Sequence, residues 1–239
     1  MGAPTGPARV LLWRHGRTAW NAERRYQGQA DPPLDETGRE QSIEAAVLVA
    51  ALEPDYIVSS DLRRAAQTAE TLCKAVERPL HLDRRFRERS LGHWEGLTRD
   101  EVAERYPDEM SDWLAGRDVS RRGGESRQEV AARAVAAFAE LPAVDIVVIV
   151  THSATAMALT TALLGLPQSM HVLGPLANCH WSELTRDIAG WRLRAHNAGP
   201  QGPVIPLPAA VSMEPDAEAI DAEAPAAPIG AAATDTIGT

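Results

Sequence analysis

The sequence predicts an α/β fold, a three-layer α/β/α sandwich around a mainly parallel, mixed central sheet. Three observations predict it. Short apolar runs alternate along the chain with longer segments of helical period. The run at residues 145–151 is apolar at successive positions, as a strand covered on both faces requires, so it belongs in the middle of the sheet. The runs at residues 179–185 and 191–196 flank a turn at Asp187 to Gly190 and read as a hairpin, which adds an antiparallel pair.

The elements follow in order. Arg9-Val10-Leu11-Leu12-Trp13 ends at a turn and is a buried strand. Thr37-Gly38-Arg39-Glu40 has capping-box spacing and opens a helix to about residue 52, with Ile43, Ala46, Val47 and Ala50 on one apolar face. Residues 55–58 form the next strand, and Ser60 is a natural N-cap for a helix over residues 61–76. Leu80-His81-Leu82 is a short strand, followed by helical pieces near residues 99–106 and 109–115. A long Ala-rich helix spans residues 125–141, and another spans 154–164 until Gly165 and Pro167 stop it.

Charge and composition narrow the function classes. The chain has 239 residues, 24 basic and 33 acidic, for a net charge of −9. Six of the acids and none of the bases lie in residues 199–239, so the remainder carries 27 acids against 24 bases, or −3. A near-neutral body argues against nucleic acid as a partner. No window approaches the roughly 18 apolar residues of a membrane span, which argues against a membrane partner. Residues 1–8 read as a flexible N-terminus, 9–198 as one catalytic domain, and 199–239 as a disordered Pro/Ala/acidic tail with no aromatic or basic residue. Two cysteines, Cys73 and Cys179, make no disulfide framework, and the absence of a leader pattern points to the cytoplasm. His81, His93, His171, His180 and His196 lack metal-ligand spacing and read as structural or exposed, so no metal site and no cofactor are expected.

In a sheet of this kind the ligand site lies beyond the carboxyl ends of the strands. Three segments stand there: Arg14-His15-Gly16, Ser59-Ser60-Asp61-Leu62-Arg63-Arg64, and Thr151-His152-Ser153. Two His and several Arg beside helix starts make an anion site, most naturally for a phosphoryl group held by guanidinium forks and helix N–H groups. Arg63 lies about 100° round the helix from Arg64, where solvent exposure and substrate contact are equally expected, and Arg84, Arg85, Arg87 and Arg89 read as a solvated or salt-bridged face, with contacts to an acidic substrate as the alternative. Trp94, Trp113, Trp181 and Trp191 read as core or cleft wall.

The run Leu12-Trp13-Arg14-His15-Gly16-Arg17-Thr18-Ala19-Trp20-Asn21 resembles the signature of the histidine phosphatase superfamily, the phosphoglycerate-mutase-like branch. Tyr26-Gln27-Gly28, Ser59 to Ala65, Arg87-Glu88 with Trp94-Glu95-Gly96, Gly123-Gly124-Glu125-Ser126 and Val148 to His152 follow in the family's order. The resemblance implies a phosphoric monoester hydrolase working through a transient phosphohistidine, with a small phosphorylated metabolite as partner and a homodimer as a possible assembly. By resemblance His15 is the nucleophile, Arg14 and Arg64 the phosphate-binding pair, His152 the second histidine and Glu88 the acid/base, while Asn21, Gln27 and Gly28 match phosphate- or substrate-contacting positions. Ser153-Ala154 departs from the Gly-Gly of many relatives, which makes Ser153 a candidate substrate contact that narrows the pocket or adds a hydroxyl. Only 36 positions separate Glu88 from Gly124 (124 − 88), short for the insertion that closes a mutase over a bisphosphate, so water access favours a phosphatase. A phosphoglycerate derivative is the expected substrate. The alternatives are a phosphoglycerate mutase, a phosphatase of α-ribazole phosphate or phosphoserine, and a non-catalytic phosphoprotein-binding module.

Overall fold

The computed structural model describes residues 6–170 and 173–200. Strands β1 (Arg9–Arg14), β2 (Tyr56–Ser59), β3 (Leu80–Leu82), β4 (Ile146–Thr151), β5 (Trp181–Asp187) and β6 (Gly190–Ala198) form one sheet. Their order is β3-β2-β4-β1-β5-β6, with β1/β4, β2/β4 and β2/β3 parallel and β1/β5 and β5/β6 antiparallel. The expected mixed, mainly parallel sheet is therefore present, and β4 lies inside it.

Strand alternation divides the core between two layers. Leu11 and Trp13 pack with Ala45, Val49, Ala69 and Leu72 of helices α2 (Glu36–Ala50) and α3 (Arg63–Val76). Val10 and Leu12 face the other way, onto Ala134, Phe138, Ala156 and Leu159 of α6 (Arg127–Ala139) and α7 (Ser153–Leu163). A third apolar cluster joins Tyr26, Leu91, Trp94, Val102, Met110, Trp113 and Val119, drawing on α4 (Arg99–Arg105) and α5 (Pro107–Leu114). A one-turn helix α1 (Ala19–Ala22), capped by a Thr18/Asn21 box, follows β1. None of the described helices is long and apolar enough to cross a membrane.

Four expectations are corrected. Helix α2 is capped by Asp35, which accepts from Gly38 N at 2.7 Å, because Thr37 Oγ1 is engaged by Arg17 (2.8 Å). Its buried face is Ser42, Ala45, Ala46 and Val49, small residues that bring α3 close, while Ile43 and Val47 are 59% and 64% exposed. Helix α3 starts at Arg63 with Leu62 at the cap, and Ser60 Oγ accepts from Leu62 N (3.3 Å) ahead of the helix. The body begins before residue 9: Pro7 is buried and Ala8 N donates to Val144 O. The expected tail over 199–239 lies outside the described residues from 201 onward, as does residues 1–5 of the expected flexible N-terminus.

Candidate functional site

Strand register builds the centre of the site. Arg14 pairs with Thr151 across β1 and β4, so the residues that follow, His15 and His152, come out side by side. His15 N continues the ladder to Thr151 O at 3.0 Å, and the two imidazole centroids are 5.1 Å apart. Gly16 lets the chain turn away against α2, since a Cβ there would stand 2.4 Å from Gly38 O.

Both imidazoles are fully buried. His15 Nδ1 lies 2.7 Å from Gly16 O, and a carbonyl accepts only from a protonated nitrogen. That contact assigns the hydrogen to Nδ1 and leaves the lone pair on Nε2, which accepts from Arg64 Nε at 3.3 Å. Burial, then Arg64 and Arg14, push the His15 pKa well below the ordinary histidine value, against a smaller opposing effect of Gly16. His152 shifts the same way through burial, Arg64, His15, Arg133 and Arg14. Neither ring nitrogen of His152 has a protein partner.

The two arginines are buried beside the histidines. Arg14 donates to Leu176 O at 2.6 Å. Arg64 donates to Ala30 O (2.7 Å) and Gly28 O (2.8 Å) as well as to His15. Part of each fork therefore anchors the residue to backbone, which fixes where each guanidinium lies beside the histidines.

Glu88 sits on a loop and joins this centre through α7, whose N-cap is His152. Its carboxylate accepts from Arg89 N (2.8 Å), Ala154 N (3.2 Å) and Thr155 N (3.2 Å). Of the helix-start N–H groups expected to face a phosphate, Ala154 N and Thr155 N of α7 are committed to Glu88, and Arg63 N of α3 to Asp31 (2.7 Å). Ala154 also lines a cavity of about 40 Å³ with Arg89, Arg127, Val130, Met157 and Ala158, and both histidines lie outside it.

The remaining positions divide. Gln27 is fully buried and neither of its amide atoms has a protein partner. Gly28 contributes its carbonyl to Arg64. Asn21 Oδ1 accepts from Thr18 N and Asn178 Nδ2, and Asn178 in turn donates to His15 O (3.1 Å). Ser153 acts through backbone: its Oγ accepts from Leu176 N (3.2 Å), the residue whose carbonyl holds Arg14. Thr155, Leu176 and Asn178 carry no motif, and only the folded geometry brings them to the site.

The residues read as structural keep that character. Arg63 is exposed, and Arg85 and Arg87 pair with Asp83, Glu140 and Asp61. Arg89 pairs with Asp118, but it is buried and stacked on Trp113 rather than solvated. Burial pushes the Cys73 thiol up to about 11 and the Cys179 thiol to about 12, so neither is a thiolate at neutral pH. Among the described residues no group of three or more His, Cys, Asp or Glu is placed to hold a metal ion.

The family model for the histidine phosphatase superfamily, branch 1, matches residues 10–199. A glucosyl-3-phosphoglycerate phosphatase of Mycolicibacterium vanbaalenii is 40% identical over 216 residues, covering 81% of this chain and 96% of that one. A probable phosphoglycerate mutase of Salmonella paratyphi C is 36% identical over 186 residues, covering 76% and 86%. The solved structure of a mycobacterial glucosyl-3-phosphoglycerate phosphatase in complex with VO3 superposes with a TM-score of 0.73 at 37% identity, covering 80% of this chain and 100% of that one. Motif order, fold and these matches agree, and the chain belongs to the histidine phosphatase superfamily.

Proposed function

We propose that this chain is a phosphomonoesterase that hydrolyses a phosphoglycerate derivative of the glucosyl-3-phosphoglycerate class through a phosphohistidine on His15. The observation that carries the reading is the His15 tautomer. With Nδ1–H committed to Gly16 O, a neutral ring presents the Nε2 lone pair beside Arg64 and His152. Nε2 attacks phosphorus, the bond to the leaving oxygen breaks, and Glu88 supplies the proton that oxygen needs. Glu88 then takes a proton from water as the water attacks phosphorus and releases His15. Arg14 and Arg64 neutralise the equatorial oxygens, which is most of what phosphoryl transfer asks of a protein. A phosphate dianion beside His152 opposes the two guanidiniums and favours its protonated form. The charge comes from side chains, so the chemistry needs no metal. The buried, unpartnered amide of Gln27 supports a phosphoryl or substrate contact there. Both cysteines are free, which suits a reducing compartment such as the cytoplasm.

The relatives' activities support the substrate class: 40% identity to a glucosyl-3-phosphoglycerate phosphatase against 36% to a probable mutase. The test is phosphate release from glucosyl-3-phosphoglycerate, 3-phosphoglycerate, α-ribazole phosphate and phosphoserine, without added metal or bisphosphoglycerate. The reading expects the highest kcat/KM for the glucosyl ester. Exchange of 2- and 3-phosphoglycerate stimulated by bisphosphoglycerate would make the chain a mutase, and no turnover of any ester would make it a binding module.

A further inference from the structure

We infer that Arg133, paired with Glu125, is the positioning residue that mounts the Glu88 loop against the phosphoryl centre. The inference rests on the reading of Glu88 as the acid. Arg133 projects from the otherwise Ala-rich helix α6, and its guanidinium has five N–H groups. Five acceptors meet them. Nε donates to Glu125 Oε1 (2.8 Å), one terminal nitrogen to Arg85 O (2.8 Å) and Arg87 O (2.7 Å), and the other to Glu88 O (2.9 Å) and Glu125 Oε2 (2.9 Å). Three carbonyls of one irregular loop thus share one rigid planar ion. Backbone carbonyls outside a ladder need partners, and here one side chain bonds all three, alongside Thr155 at Arg87 O and Gln29 at Glu88 O, and so fixes their mutual spacing.

Glu125 completes the mount from the far side. Its Oε2 accepts from Ser90 N (2.8 Å) and Gln29 Nε2 (3.3 Å), and Gln29 also donates to Glu88 O (3.1 Å). Glu125 N donates to Ser90 O (2.9 Å), and Arg89 Nε donates to Glu125 O (2.8 Å). The segments touch so closely that a Cβ on Gly124 would stand 2.2 Å from Ser90 O. Burial raises the Glu125 pKa, but Arg133 and Ser90 N–H outweigh it and hold the carboxyl below its ordinary value, so the pair is ionic at neutral pH. Arg133 has no bond to the Glu88 carboxylate. It fixes the backbone at both ends of the residue, and the α7 N–H groups then receive the carboxylate. A displacement of about 1 Å at such a group costs on the order of 10² in rate.

The test compares Arg133→Met, Arg133→Lys and Glu125→Gln with Glu88→Gln, and with Glu88→Gln/Arg133→Met, reading kcat/KM on glycerol phosphate and on p-nitrophenyl phosphate. This parameter reports steps through phosphoryl transfer to the enzyme, where only the alkyl leaving group needs the proton. Arg133→Met should lose on the order of 10²-fold on the alkyl ester and about threefold or less on the aryl ester, whose leaving group needs little protonation. Arg133→Lys should behave like Arg133→Met, because three donors cannot replace five. Glu125→Gln should show the same selectivity with a smaller loss, and it preserves the side-chain shape should Arg133→Met fail to fold. In the Glu88→Gln background Arg133→Met should cost the alkyl ester nothing further. Equal losses on both esters, full rescue by Lys or additive losses would overturn the inference and make Arg133 a general structural or electrostatic residue. A loss in Glu88→Gln that ignores the leaving group would remove Glu88 as the acid, and the mount with it.

Discussion

Arg14, His15 and His152 stand at the ends of two paired strands, whereas Glu88 stands on a loop that no ladder reaches. In the first region the backbone register sets the spacing. Each histidine is placed by hydrogen bonds repeated along β1 and β4, and Val10 to Trp13 and Val147 to Val150 are fully buried. In the second region side chains do that work: Thr151 Oγ1 holds Phe86 O (2.7 Å), Thr155 Oγ1 holds Arg87 O (2.7 Å), and Arg133 shares Arg87 O and holds Arg85 O and Glu88 O as well. The cluster around Trp94 and Trp113, whose rings meet edge to face at 5.4 Å with the Arg122 guanidinium 5.2 and 4.6 Å from their centroids, packs beside that loop as a core of its own.

The largest expected effect separates the regions by step. His15→Ala removes the nucleophile, and turnover should fall by about 10⁴-fold or more on every ester, the scale of losing a covalent catalyst. Because His15 is fully buried and accepts from Arg64, circular dichroism must accompany the assay. Retained turnover in a folded variant would move the nucleophile elsewhere. Glu88→Gln comes next, at roughly 10²–10⁴-fold for alkyl esters and less for aryl esters. A loss independent of the leaving group would erase the distinction between the two regions.

The pH response belongs to the strand-end region. Both imidazoles have pKa values well below the ordinary histidine value in the fold, so they stay neutral as pH falls through 6.5 while an unfolded chain takes up protons. Their stabilising contribution is complete above about pH 7 and is lost as pH falls below 6.5, at up to about 1.4 kcal/mol per pH unit for each group. Denaturant melts at pH 7 and pH 5.5 read this, and equal stability at both would contradict the buried, neutral pair. The acid limb of kcat/KM from His15 should likewise lie below 6.5. The smallest effect concerns metals: EDTA should leave turnover within about twofold, because guanidiniums supply the charge, and loss restored by Mg²⁺ or Zn²⁺ would contradict that.

The strand-end region was legible in the sequence because its signals are local. An apolar run followed by Arg14-His15-Gly16, and another followed by His152, put those residues on one rim by topology alone. Helix faces and caps were less legible. The apolar Ile43 and Val47 point outward because small residues pack against α3, a choice made by the neighbouring helix rather than by periodicity. Glu88 was found only by its resemblance to the family's acid-bearing loop, and Arg133 and Glu125 carried no sign of their connection to it. Their separations of 45 and 37 positions from Glu88 (133 − 88 and 125 − 88) are closed only by the packing of α6 on the loop.

Trapping the intermediate tests the central claim most directly. Enzyme mixed with ³²P-labelled ester and quenched in alkali within milliseconds should carry label on the peptide containing His15. That label should survive base and disappear on brief acid treatment, as a phosphoramidate does and a serine phosphate does not. His15→Ala should carry none. Acid-stable label on Ser59, Ser60 or Ser153, or turnover with no labelled protein at any quench time, would contradict a phosphohistidine at the end of β1.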